Sequence, residues 1–262
     1  MFARVSTTAY RTFGAGQKAA DRHKSDKHSA MTQFIDLSHD FEDGMPGFRM
    51  TMPDGTKVQC TARIRPFVTH DQFRAATGGQ VEFELTEVSF QTSIGTYLDS
   101  PYVRHRDRRD IGELRIDELV LPGVVVDLSH LAAGAAADIG DLRAGGLDGA
   151  AGKAVLCRFG WDRHWGTDGY AAYPFLSRAA LQFLIDGGAR LVGVDTINID
   201  DNRDAERPAH TWLLARDIFV VENLCNLAAL ARKPFRFFAV PIKARRAAAM
   251  PIRAFAEVVD GR

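Results

Sequence analysis

Two places in this chain carry side chains that could do chemistry. The first is the turn Ser93-Ile94-Gly95-Thr96-Tyr97-Leu98-Asp99-Ser100-Pro101-Tyr102-Val103. Pro101 biases Ser100 to an extended backbone and stiffens the loop. Gly95 permits a sharp turn or a close backbone approach. Together they make a rigid platform for one carboxylate, Asp99. The alternative is an Asx-type turn, in which Asp99 bonds its own backbone. The second place runs from His210 to Glu222. Glu222 ends the apolar run Ile218-Phe219-Val220-Val221. A carboxylate leaving such a strand faces a cavity or a partner, because burying it unpaired is costly. A satisfied core histidine and an ion pair with an arginine are the alternatives. The twelve-residue separation is no local metal signature. It gains meaning only if a fold brings the two residues together.

Several elements must do that positioning. Phe34–Ser38 reads as a short first strand, and a loop rich in Gly and Pro follows it. Val81, Phe83 and Leu85 alternate with polar residues, which is the period of a half-buried strand. The alternation slips to Val88 and Phe90, the mark of a bulge before the turn. Val124–Leu128, Ala154–Phe159, Leu191–Val194 and Ile218–Val221 are compact apolar runs that suit buried strands. Ser177 can cap a helix from Arg178 to Asp186, with Leu181, Leu184 and Ile185 on one face. Gly187-Gly188 ends it. His210–Ala215 opens a possible short helix, and Phe235–Val240 and Ile252–Val258 supply late strands. The expected fold is a single α/β domain with a mixed, barrel-like β-core and a few covering helices.

Composition narrows the setting. The 262 residues carry 33 basic and 33 acidic side chains, so the net charge is zero. Nothing in that balance points to nucleic acid or an anionic membrane. Three cysteines, Cys60, Cys157 and Cys225, stand far apart with no Cys-x-x-Cys, as expected for a reduced, cytoplasmic protein. No run approaches the ~20 apolar residues of a membrane span. Residues 1–30 have little to bury and no apolar signal core. They read as a disordered extension, or as the product of an upstream start codon, with the domain at 31–262.

The ordered series Asp36-Leu37-Ser38, Gly95-Thr96-x-x-Asp99-x-Pro101, Gly160-Trp161-Asp162, Asp195 with Asn198 and Asp200-Asp201, Pro208-Ala209-His210 and Glu222-Asn223-Leu224 resembles the cyclase family. This family of metal-dependent hydrolases includes bacterial kynurenine formamidase and isatin hydrolase. Its first motif is His-x-Gly-Thr-His-x-Asp-x-Pro-x-His. Ser93, Tyr97 and Val103 stand where that motif has histidines.

The resemblance implies a swivelling β/β/α fold, an oligomer (homodimer or homotetramer), and metal ligands at Asp99, His210 and Glu222. With the motif histidines absent, it implies one divalent ion, zinc or manganese, where relatives hold one or two. It further implies hydrolysis of a small aromatic or cyclic amide, imide or lactone. Asp99 and His210 are then catalytic. Tyr97, as an oxyanion donor, and His105, two residues beyond the missing last histidine, are candidates for acid–base work. His105 also reads as a solvated member of the basic run Arg104–Arg109, and Tyr97 as a filler of space left by a lost metal. Trp161 and Trp165 could wall a pocket for a flat substrate or simply pack, and Ser93 joins them as a candidate substrate contact. Asp200–Asp204 lacks the glycine and glutamate of a calcium loop. Two rival functions remain: metal-free cyclisation or isomerisation by His210, Glu222 and Tyr97, and a non-catalytic small-ligand binder.

Overall fold

The computed structural model describes residues 33–258; the extension expected at 1–30 lies outside them. The chain begins with β1 (Gln33–Asp36) and then forms an outer arm. In the arm, β2 (Arg49–Thr51) pairs with β3 (Lys57–Gln59), and β4 (Ala62–Val68) pairs with β5 (Leu85–Phe90) around α1 (His70–Ala76). The chain re-enters the body at β6 (Tyr97–Asp99). It continues through β7 (Val120–Asp127), β8 (Ala136–Ala137), α2 (Ile139–Ala144), β9 (Ala154–Arg158), β10 (Phe175–Leu176) and α3 (Arg178–Asp186). The last elements are β11 (Leu191–Val194), α4 (Pro208–Leu214), β12 (Phe219–Glu222), β13 (Phe235–Phe238), β14 (Ala249–Pro251) and β15 (Phe255–Val258).

Nine strands form one mixed sheet in the order β1-β15-β13-β7-β9-β11-β12-β6-β14. The central four, β7-β9-β11-β12, are parallel, and every outer pairing is antiparallel. The central strands bury both faces, and their side chains alternate between two cores. Val155, Cys157, Val192, Val194 and Val220 face α3 and α4, which contribute Leu181, Leu184, Leu213 and Leu214. Ala154, Leu156, Leu191, Phe219 and Val221 face the other way. That second core also holds Ile35 from one edge strand and Met250 from the other. Residues at opposite ends of the strand order can share a cluster only if the sheet curls, so it is a half-barrel with helices on its convex side. No described helix is long and apolar enough to cross a membrane.

Local rules explain most boundaries. Ser177 Oγ accepts the Ala180 N–H at 3.1 Å, capping α3 as expected. The strand expected at Ile252–Val258 starts only at Phe255, and Ile252 and Ala254 are buried in the irregular link that precedes it. The strand expected at Val81–Leu85 starts only at Leu85, and its apolar side chains are exposed rather than half-buried. The irregularity expected in β5 falls on its partner, between Pro66 and Val68, where proline cannot donate to the ladder.

Candidate metal and catalytic site

Strand register brings the acids together. Tyr97 pairs with Glu222, and Asp99 with Val220, across β6 and β12. Directly opposed residues point to the same face, and Val220 lies in the core shared with α4. Tyr97, Asp99 and Glu222 therefore project toward α4, whose third residue is His210. The site lies at the carboxyl ends of parallel β11 and β12, where loops leave a crevice.

The motif turn fixes β6. Gly95 is left-handed (φ +64), and a Cβ there would meet the Met45 methyl at 3.0 Å. Thr96 Oγ1 donates to the Asn223 carbonyl at 2.6 Å, and Asn223 Nδ2 donates to the Gly95 carbonyl at 2.7 Å. The residue after Glu222 is thus clamped to the turn before Asp99. Among the described residues no backbone N–H donates to the Asp99 carboxylate, so the Asx-turn alternative is not what forms.

One potential ligand atom from each of Asp99, His210 and Glu222 lies within 4.8 Å of the other two. His210 Nε2 is 3.4 Å from Asp99 Oδ2 and 3.6 Å from Glu222 Oε1. Both acids are almost fully buried, and the His210 side chain is 13% exposed. On its far side, His210 Nδ1 contacts Asp200 Oδ2 at 2.6 Å. Asp200 is itself held by the backbone N–H groups of Ala209 and His210, at 2.6 and 3.2 Å. This carboxylate orients the imidazole and keeps a proton on Nδ1, so that Nε2 is the nitrogen directed at the two acids. Glu222 Oε1 accepts the Ile199 N–H at 2.8 Å, and its Oε2 accepts the Tyr97 hydroxyl.

Without a cation this cluster is electrostatically loaded. Burial disfavours the charged imidazole, but Asp200, Asp99 and Glu222 outweigh it and hold the His210 pKa well above its ordinary value. Burial, with Asp99 adding to it against the pull of His210, pushes Glu222 up to about 7. Burial and the neighbouring Glu222 also hold the Tyr97 phenol well above its usual range, so it stays a donor. One imidazole nitrogen and two carboxylate oxygens converging on one point fit a single divalent cation.

The triad lines a cavity of about 360 Å³, together with Ser93, Tyr97, Val103, Arg104, Asn198 and Arg207. The other sequence candidates are not brought to it. His105 bonds the Thr211 carbonyl through Nε2 at 3.0 Å and is not in the lining. Trp161 is packed in the helix-side core. Trp165 stacks on His39, with ring centroids 4.0 Å apart, and meets Tyr170 edge-on. Tyr97 is in place, but its hydroxyl is spent on Glu222 instead of facing a substrate. The residue most readily missed from sequence is Asp200. It stands ten positions before His210, inside an acidic run that resembles a failed calcium loop; its signal was a carboxylate shortly ahead of a candidate ligand histidine.

Comparison with known proteins identifies the family and the fold. The sequence model of a family described as "Putative cyclase" matches residues 35–201. A kynurenine formamidase of Bacillus cytotoxicus is 25% identical over 224 residues, covering 85% of this chain and 96% of that protein. Isatin hydrolase A from Labrenzia aggregata, solved with benzyl benzoate, superposes with a TM-score of 0.77 at 22% identity, covering 90% of this chain and 97% of that one. A structure described as a potential metal-dependent hydrolase with cyclase activity gives 0.67 at 19% identity, covering 88% of this chain and 100% of that one.

Proposed function

The chain belongs to the cyclase family, and from that premise we propose that it is a hydrolase of small aromatic amides or imides that works with one divalent metal ion. The observation that carries this reading is the buried Asp99–His210–Glu222 cluster, with His210 oriented by Asp200. The names of the relatives, kynurenine formamidase and isatin hydrolase, supply the class of bond: an amide or imide C–N bond next to an aromatic ring.

Asp99, His210 and Glu222 would hold the ion. A divalent cation there supplies Lewis acidity toward a carbonyl and lowers the pKa of water. The chain's own residues do the rest. Asp200 holds the imidazole ring. Tyr97 fixes one oxygen of Glu222 and fills space that a motif histidine would take. That favours a single ion, zinc or manganese. Val103 gives the cavity an apolar wall in place of a proton-transfer group.

The setting proposed is cytoplasmic, and the assembly a homodimer or homotetramer. The outer arm supports the latter: Phe67, Phe83, Leu85 and Val88 are each half exposed or nearly so, and exposed apolar side chains gathered in one segment suit a protein contact. The test of function is hydrolysis of N-formylkynurenine and isatin with added manganese or zinc. Turnover abolished by chelation, restored by metal and absent in His210→Ala supports the reading. Turnover that survives exhaustive chelation favours metal-free acid–base chemistry in the same pocket.

A further inference from the structure

Arg104 and Arg207 line the same cavity as the three candidate ligands. They arrive from different elements. Arg104 ends the 3-10 turn Pro101–Val103, and Arg207 stands immediately before α4. Their hydrogen bonds are to neutral acceptors only. Arg104 donates to Thr211 Oγ1 at 2.9 Å and to the Glu206 carbonyl at 3.2 Å; Arg207 donates to Asn202 Oδ1 at 2.9 Å. The acids nearest to Arg207 in sequence are engaged elsewhere: Asp201 with Arg203, and Asp204 and Glu206 with Arg178. Among the described residues, neither Arg104 nor Arg207 makes an ion pair. A guanidinium presents five N–H donors, so most of theirs are uncommitted.

The backbone adds a second observation. Arg207 adopts φ 48°, ψ 61°, a left-handed conformation for a long side chain that also precedes a proline. Such a conformation persists where the surroundings impose it, and it clusters at functional sites. Here it turns the chain from the acidic loop into α4 and leaves the Arg207 side chain on the cavity wall. A purely structural arginine would be expected to find one of the many local carboxylates.

We propose that the substrate carries a carboxylate, separate from the amide or imide that is cleaved, and that Arg104 and Arg207 bind it. This rests on the hydrolase reading above. The planar fork of arginine matches a carboxylate with two parallel hydrogen bonds. The cavity then has two ends: an acidic floor for the cation and scissile carbonyl, and a basic wall for the anion. The arginines are specificity residues, remote from the bond that breaks.

The test compares 2-formamidobenzoate with its uncharged counterpart formanilide in the metal-loaded wild type, Arg104→Gln and Arg207→Gln. The ratio of kcat/KM, charged over neutral, should fall at least about tenfold in Arg207→Gln, or about 1.4 kcal/mol, mainly through KM. A loss of folded protein would lower both substrates together and leave the ratio alone. A ratio within about twofold of wild type in both variants overturns the proposal. If neither compound is hydrolysed, the hydrolase reading fails separately, and binding of benzoate against benzamide decides the rest. A benzoate preference that survives chelation and disappears in the arginine variants supports the proposal. A preference that disappears on chelation but survives in those variants places the carboxylate on the metal and overturns it.

Discussion

The site floor and the outer arm use the same kinds of residue to opposite ends. In the floor, β6, β11 and β12 bury every residue, and most polar groups at their ends are held from within the chain. Asp200 holds His210, Ile199 and Tyr97 hold Glu222, and Asn223 holds Gly95. In the arm, β4 and β5 pair over six positions, yet Phe67, Phe83, Leu85 and Val88 remain largely in solvent. The floor covers its apolar side chains within one chain, and the arm leaves its own exposed. Alternating apolar residues thus specify a strand with one face to cover, but not which molecule covers it.

The contrast can be broken first at the floor. Asp99→Asn or His210→Ala should lower metal-dependent turnover by at least about a thousandfold, since the ion is asked to supply several kcal/mol. Steady-state kinetics at saturating metal checks this, and turnover within tenfold of wild type would refute the ligand assignment.

Next comes a buried acid beside the site. Burial pushes Asp195 up to about 7, against the Phe159 and Gly160 N–H bonds that favour its anion. Between its ordinary value of 3.8 and 7, the folded chain keeps a proton that the unfolded chain has released. Stability from this group is therefore greatest at acid pH and declines as pH rises through that window. Relative to Asp195→Asn, wild-type stability should fall by about 2–4 kcal/mol from pH 4 to pH 7.5. Urea titrations across that range measure it, and a flat difference would contradict it.

Asp200→Asn tests the support under the floor. It removes no proposed ligand, so metal should still bind, with affinity lower by about 10–100-fold. Competition with a chromogenic chelator gives the number.

The arm yields the smallest energetic effect and the largest change of form. Phe83→Ser with Val88→Ser should shift the protein to a smaller species by light scattering. Unfolding free energy per chain at matched oligomer state should change by no more than about 0.5 kcal/mol. An unchanged assembly would mean that the arm is not the contact surface. His105→Ala should cost kcat less than about threefold, because its ring is bonded to the α4 backbone.

The parts legible in the sequence were those set by local rules or by burial on both faces. Leu191–Val194 and Arg178–Asp186 are present at the expected residues. Asp99, His210 and Glu222 were recognisable as a set only through the resemblance, because strand register, not spacing, joins them. Asp200 was missed as a partner because its role depends on the loop returning to the start of α4. Trp161 and Trp165 looked like pocket walls because aromatic residues near a strand end serve packing and binding alike; here one is core and the other stacks on His39. Arg104 and Arg207 lay inside charged runs, where nothing local separates a solvated arginine from one on a cavity wall.

The most direct test of the central claim is the metal content of the purified full-length chain, by elemental analysis after incubation with zinc or manganese and desalting. The structure predicts one ion per chain in the wild type and none in His210→Ala. Two ions per chain, none in the wild type, or undiminished metal in His210→Ala would contradict a single site built from Asp99, His210 and Glu222.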